Sequence, residues 1–355
     1  MNTNTNTKAF FELVRAGLWE KEVRLSQFDN IDFSEVYRLA EEQSVIGMVA
    51  AGIDHVVDVK VPQVWALQFA GQTIQLEQRN KAMNVFIAGL IDKLRKENVY
   101  ALLVKGQGVA QCYEKPLWRC SGDIDLFLSD ENFQRAKSYL LPLASSVEEE
   151  YVREKHLGLT IDGWVVELHG HLYSGLSSRV ERELDKLQED TFYGGQVRSW
   201  MNGQTQIFLL KAENDVFYVF THILQHFYKE GVGLRQVCDW CRLMWTYRDS
   251  LNYELLESRI KRAGLMSEWK AFYNLASRYL GMPDLDSRLM AHNSRFDKKA
   301  EKLMEFILGG YSGNKIKDTL QIAKIFPWKA LRYSPSIFLN VNWLKVKERL
   351  FSICG

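Results

Sequence analysis

Apolar residues recur at three- and four-residue spacing in Phe10, Leu13, Val14 and Leu18, and again along Val64 to Leu94. That periodicity predicts a helical lead from Ala9 to about Asn98, with no turn cluster between Pro62 and Glu97. The period then changes. Val99 to Val104 is a short apolar run of β-forming character that ends in Lys105-Gly106-Gln107-Gly108, a strand entering a turn. A short helix through Ala110 and Tyr113 follows, stopped near Pro116. Ser121 to Leu128 alternates with period two, and Ser129-Asp130 reads as the N-cap of a helix over Phe133 to Leu141. Strands are predicted at Glu149 to Lys155, Leu157 to Ile161 and Trp164 to Leu172, the last two joined by a hairpin turn at Asp162-Gly163. From about Asn214 the pattern is helical again, broken near Gly231, Gly264, Gly281 to Asp284, Gly309-Gly310 and Pro327. The predicted organisation is a helical region over 1–98, a mixed α/β core over 99–210 and a helical domain over 211–355.

Composition narrows the class without choosing a chemistry. With 46% apolar and 25% charged residues, 6 prolines and 23 glycines in 355 positions, disorder, fibrous architecture and long linkers are excluded. Lys and Arg total 45 against 44 Asp and Glu, a net charge of +1, which removes the global electrostatic case for a duplex binder and leaves no strong nucleic-acid signature. The longest apolar run, Val45 to Ile53, is far short of the roughly 20 residues of a transmembrane helix. Met1 to Lys8 is polar and does not read as a signal peptide. Five cysteines (Cys112, Cys120, Cys238, Cys241, Cys354) do not make a disulfide framework in so long a chain, so a reducing, cytoplasmic setting is expected.

Candidate chemistry sits on carboxylates. Asp123 and Asp125, two apart in an alternating strand, point to one face. Two such carboxylates repel unless a cation lies between them, and a hard divalent ion prefers carboxylate and phosphate oxygens. Asp-x-Asp alone also reads as a cap and a turn residue. Its context is more telling: upstream, the Lys105-Gly106-Gln107-Gly108 turn has backbone N–H groups suited to phosphate oxygens. Downstream, Glu167 stands inside the apolar strand Val165 to His171, with His169 and His171 on its face; a lone Glu there also reads as an edge residue facing water, but beside Asp123 and Asp125 it offers a third carboxylate.

In this order, Leu103-Val104-Lys105-Gly106, then Arg119-Cys120-Ser121-Gly122-Asp123-Ile124-Asp125-Leu126, then Glu167-Leu168-His169 resemble the uncharacterised bacterial nucleotidyltransferase family of the DNA polymerase beta-like superfamily. The resemblance extends along the tail through His222 and His226, Gly231 to Asp239 with Arg235, and Phe326-Pro327. It implies an α+β fold, a polymerase beta-like core of mixed sheet and helices flanked by helical regions at both ends. It implies metal-dependent transfer of NMP from an NTP (ATP by default) to an acceptor hydroxyl or phosphate on a small molecule, a protein or an RNA. Asp123, Asp125 and Glu167 would be the catalytic acids and the ligands of two Mg²⁺ or Mn²⁺ ions, with Lys105, Gly106, Gln107, Gly108 and Arg119 at the nucleotide phosphates. One departure is Gln107, which stands where many members of the wider fold carry Ser or Gly; Lys105 and Arg119 then supply phosphate charge in place of a hydroxyl.

Other constellations allow two readings each. His222 and His226 share a helix face at i and i+4, and a His₂Cys₂ zinc site can be drawn with Cys238 and Cys241; the alternative is that these cysteines are helical core. His169, His171, His222, His226, Arg235 and Asp239 also fit as lining of a cleft over the α/β core, against an Arg235–Asp239 ion pair at i, i+4 on a helix surface. From Lys315 to Gly355 eight basic residues meet two acidic ones, interleaved with Trp328, Tyr333, Phe338 and Trp343. Such a tail suits a membrane or nucleic-acid surface, or a packed terminal helix pair with solvated lysines. The rivals to an enzyme are therefore a non-catalytic nucleotide-sensing or interaction module and a peripheral membrane protein.

Overall fold

Four helices lead the chain: α1 (Thr5–Trp19), α2 (Phe33–Glu42), α3 (Ile46–Asp54) and α4 (Gln63–Lys96). The computed structural model describes residues 4–290 and 293–333. α1 and α3 meet almost backbone to backbone, because a Cβ on Gly17 would stand 1.9 Å from the Met48 carbonyl oxygen and one on Gly52 2.0 Å from that of Leu13. α4 runs 34 residues without interruption, as the absence of turn residues predicts.

The strands follow: β1 (Ala101–Val104), a one-turn α5 (Gly106–Ala110), β2 (Ile124–Leu128), α6 (Asp130–Leu140), β3 (Ser146–Val147), β4 (His156–Ile161) and β5 (Trp164–His169). Next come α7 (Ser178–Tyr193), β6 (Val197–Asn202) and β7 (Thr205–Leu210). The tail is helical: α8 (Ala212–Lys229), α9 (Leu234–Thr246), α10 (Tyr253–Ala263), α11 (Met266–Leu280), α12 (Ser294–Gly309), α13 (Lys315–Ala323) and α14 (Pro327–Tyr333). One seven-stranded mixed sheet, in the order β3-β4-β5-β2-β1-β7-β6, makes this an α+β fold. β2 lies antiparallel to β1 and parallel to β5, and β1 lies parallel to β7.

Three local expectations need correction. The strand expected over Glu149 to Lys155 is a turn whose single bridge joins Tyr151 to His156. Tyr151 and Val152 are exposed there, so this charged segment has no apolar face to lay on the sheet. β5 ends at His169, not Leu172, because Gly170 is where the backbone passes tightly over Phe133. Finally, the sequence reading assigns no element between Leu172 and Asn214, where the structure forms α7 and the β6–β7 hairpin.

Alternation divides the buried side chains into two cores. Leu103, Ile124, Leu126, Leu159, Val166 and Leu168 face α4 and α6. The opposite face, with Leu102, Val104 and Phe127, joins a large core shared by α1–α3 and the helices of the tail. Asp125 belongs to this second face, and so does Glu167. The charged residues therefore look towards α8 and α9. Cys238 and Cys241 are buried in α9 among Trp240, Leu243 and Met244, with burial pushing both thiols up. Among the described residues neither belongs to a convergent ligand cluster, which overturns the His₂Cys₂ reading. No described helix is long and apolar enough to cross a membrane. Of the tail aromatics, Trp328 is exposed and Tyr333 packs on Tyr228, while Phe338, Trp343, Lys345, Lys347 and Arg349 lie outside the described residues.

Candidate active site

The chain leaves β1 through a strained residue. Lys105 has φ 56° and ψ −145° and Gly106 has φ 39°. Such a conformation costs a non-glycine residue about 1–3 kcal/mol and persists only where its surroundings impose it. It turns the Lys105 ammonium back over the sheet, where Nζ lies 2.6 Å from Asp125 Oδ1. Asp125, only 1% exposed, stands opposite Val104 on β1 and opposite Glu167 on β5. Asp123 enters two residues earlier, and carboxylate oxygens of Asp123, Asp125 and Glu167 all lie within 4.8 Å of one another.

A hairpin sets the far side of this cluster. Asp162 (φ 50°) and Gly163 (φ 80°) form the two-residue turn whose left-handed backbone matches strand twist. The resulting register places Gly158 opposite Glu167 and His156 opposite His169. His169 Nε2 is 2.8 Å from Asp125 Oδ1, and Glu167 Oε2 is 3.3 Å from His156 Nε2 and 3.4 Å from His169 Nε2.

Charge is distributed unevenly over these groups. The Asp125 charge, then burial, holds the Asp123 carboxyl above its ordinary range. Burial also acts to raise Glu167, but hydrogen bonds from His156 and His169 outweigh it and keep that carboxyl well below the usual carboxylate range. For Lys105, burial opposes the charge, and Asp125 heads the groups that overcome it and hold the ammonium above its usual range. His169 is likewise raised against burial by its bonds to Asp125 and Glu167.

These groups floor a cavity of about 650 Å³. Its opposite wall comes from α8 and α9, with Tyr218, His222, His226, Lys229, Arg235 and Asp239. All six residues expected as cleft lining (His169, His171, His222, His226, Arg235, Asp239) face it, as do Lys105, Gly106 and Arg119. Gln107 and Gly108 are not on its wall. Gln107, within α5, is buried with its Nε2 donating to Asn80 Oδ1 (2.8 Å) and Ser121 Oγ (3.0 Å), and Gly108 packs against Leu209.

Arg119 is committed elsewhere. Its Nε and Nη2 donate to the two oxygens of Asp239 at 2.8 and 2.7 Å, and Tyr113 Oη donates to the same carboxylate at 2.8 Å. This buried fork pins the segment before Asp123 to α9. The alternative Arg235–Asp239 pair does not form, since Arg235 Nη1 donates instead to the Cys120 carbonyl at 2.8 Å. Replacing Arg119 by Ala is expected to lower unfolding free energy by about 3–5 kcal/mol, because Asp239 is left buried and unpaired. Urea midpoints of the two proteins measure this.

His222 and His226 touch through Nε2 at 3.0 Å. Burial first, then the Lys105 charge, pushes His222 well below its ordinary range. A base depressed in this way contributes stability that is present above its unfolded value, about 6.5, and is lost as pH falls towards the folded value. The wild-type melting temperature is therefore expected to fall relative to that of His222→Asn as pH drops from about 7 to 5. A pH-independent gap between the two would contradict it.

The cavity lining absent from the sequence reading includes His156, Tyr218 and Lys229. A signal for each existed. Counting outward from Asp162-Gly163 pairs His156 with His169, and Tyr218, His222, Gln225 and Lys229 recur at helical spacing on one face of α8.

Comparison with known proteins adds the family. Searches of curated proteins and of solved structures each gave no match. A family model described as an uncharacterised nucleotidyltransferase matches residues 29–281, a span from α2 to the end of α11 that holds the whole sheet and both cavity walls. The chain thus belongs to this uncharacterised nucleotidyltransferase family.

Proposed function

We propose that the protein is a metal-dependent enzyme that moves NMP from an NTP, with ATP as the default donor, to a hydroxyl or phosphate of an acceptor, releasing pyrophosphate. The observation that carries this reading is the convergence of Asp123, Asp125 and Glu167 within 4.8 Å on the floor of a cavity large enough for a nucleotide. The core is then of the polymerase beta-like kind: strand, glycine turn, Asp-x-Asp strand, and a third acid on the parallel neighbour.

The donor set suits a hard divalent ion, Mg²⁺ or Mn²⁺, because it is all carboxylate oxygen and already draws a cation, the Lys105 ammonium, onto Asp125. Asp123, Asp125 and Glu167 would hold two such ions, which when bound neutralise triphosphate charge and polarise the acceptor oxygen. Glu167, kept ionised by its two histidines, accepts the proton that the acceptor hydroxyl gives up. Four lysines and arginines line the cavity; Lys105 and Arg119 are paired with carboxylates, while Lys229 and Arg235 have no carboxylate partner among the described residues. Lys229 and Arg235 are therefore the cations that receive phosphate charge, and Gly106 offers close backbone approach. Arg119 supports the site through Asp239 without touching phosphate.

A thermal-shift panel of the four NTPs with Mg²⁺ or Mn²⁺ tests the reading. At a ligand concentration of about one hundred times Kd, stabilisation of about 2.7 kcal/mol is expected for the preferred NTP with metal. The double variant Asp123→Asn, Asp125→Asn is expected to show none. Metal-dependent NTP stabilisation that survives in the double variant would overturn the site. Binding without NMP transfer to any acceptor would favour a nucleotide sensor.

A further inference from the structure

Beside the three acids the sheet assembles ligand atoms of a different chemistry. His156 opens β4 directly opposite His169 on β5, and Glu167 lies two residues before His169 on the same face. Both imidazoles address one oxygen: Glu167 Oε2 stands 3.3 Å from His156 Nε2 and 3.4 Å from His169 Nε2. The two rings lie 4.8 Å apart between centroids, and the three ligand atoms fall within 4.8 Å of one another. Ligands held about 2.0–2.1 Å from a tetrahedral ion stand roughly 3.4 Å apart, so the spacing about Glu167 is already that of a ligand set. All three side chains are partly buried and reach the cavity, which leaves one direction open.

Donor type then selects the ion. Imidazole nitrogen favours zinc, cobalt and their neighbours, whereas Mg²⁺ keeps to oxygen. We propose that His156, Glu167 and His169 form a metal position of their own, adjoining the three-acid cluster and sharing Glu167 with it, that takes an imidazole-binding divalent ion of the zinc or cobalt class in preference to Mg²⁺. This site does not depend on nucleotidyl transfer, and metal binding without nucleotide reads it out. It also couples to the acids. His169 Nε2 now bonds Asp125 Oδ1 at 2.8 Å and cannot do so while acting as a ligand, so loading this position releases one partner of Asp125.

The test titrates chelator-stripped full-length protein with Co²⁺ and no nucleotide, following visible absorption. One Co²⁺ per chain is expected, displaced by equimolar Zn²⁺ and retained in millimolar Mg²⁺. His156→Gln is expected to weaken binding about ten- to hundredfold. In His156→Cys, a sulfur-to-cobalt charge-transfer band is expected in the near ultraviolet, a signature that needs residue 156 to be a ligand and stands even if the Gln variant folds poorly. Wild-type Co²⁺ affinity in folded His156→Gln, no such band in His156→Cys, or displacement by Mg²⁺ as readily as by Zn²⁺ would each overturn the proposal. So would loss of the signal in His226→Asn with retention in His156→Gln, which would assign the ion to the histidine pair of α8. Asp123→Asn separates the two readings: it is expected to keep the Co²⁺ signal and lose the Mg²⁺-dependent NTP shift. Loss of the Co²⁺ signal there overturns the separate site, and retention of the NTP shift overturns the three-acid reading instead.

Discussion

Glu167→Gln is expected to lower NMP transfer by about 10²–10⁴-fold while the Mg²⁺-dependent thermal shift with NTP stays close to wild type. The substitution keeps the size of the side chain, and its amide oxygen still accepts from His156 and His169, so β5 and its register with β2 survive. What disappears is the negative charge that those histidines hold ionised and that takes the acceptor's proton. Asp123 and Asp125 remain to hold the nucleotide's ion. Single-turnover transfer measured beside the thermal shift separates the two effects. Parallel loss of binding and turnover would show that Glu167 holds the nucleotide.

The second large effect divides the aspartates by sign. Asp125→Ala is expected to lower unfolding free energy by about 3–5 kcal/mol, because the buried Lys105 ammonium loses the carboxylate 2.6 Å away and His169 loses a partner at 2.8 Å. Asp123→Asn moves the other way at neutral pH. Its carboxyl is held above the ordinary range by the Asp125 charge and by burial, so its contribution to stability is fully present below the unfolded value of about 3.9 and is lost as pH rises through the folded value. At pH 7 the Asp123 carboxyl is therefore a penalty that Asn removes. Melting temperature in chelator should rise for Asp123→Asn at pH 7 and converge with wild type below about pH 4. Equal shifts for the two aspartates would mean that Lys105 does not discriminate between them.

Read as sequence alone, Asp123 and Asp125 are equivalent members of one alternating strand. The asymmetry between them arises because Asp125 faces Val104 and Glu167 in the middle of the sheet, while Asp123 lies one step outside β2. Arg119 shows the same limit. It stands four residues before the acid pair and reads as a phosphate ligand, yet Asp239, far along the chain, takes its guanidinium. The β6–β7 hairpin has a signal in the chain itself, an Asn202-Gly203 turn in which Gly203 (φ 62°) and Gln204 join two strands and Asn202 pairs with Thr205. α7 also carries a local signal, an N-cap at Ser177 followed by Val180, Leu184 and Leu187 at helical spacing, and that face is buried in the core it shares with α8 and α10.

The sequence by itself determined what depends on neighbours in the chain. Period-two alternation put Asp123 and Asp125 on one face, the uninterrupted apolar repeat made α4 a single helix, and Asp162-Gly163 set the register that pairs Gly158 with Glu167. Only the tertiary structure decided that β5 lies parallel to β2, that α8 and α9 close the cavity, and that Asp239 claims Arg119. Turn dihedrals and side-chain alternation are set within a few residues by sterics, which the sequence states directly. Strand order and helix docking follow from burying both faces of the sheet at once, a sum of many weak apolar contacts between distant segments that no local pattern records.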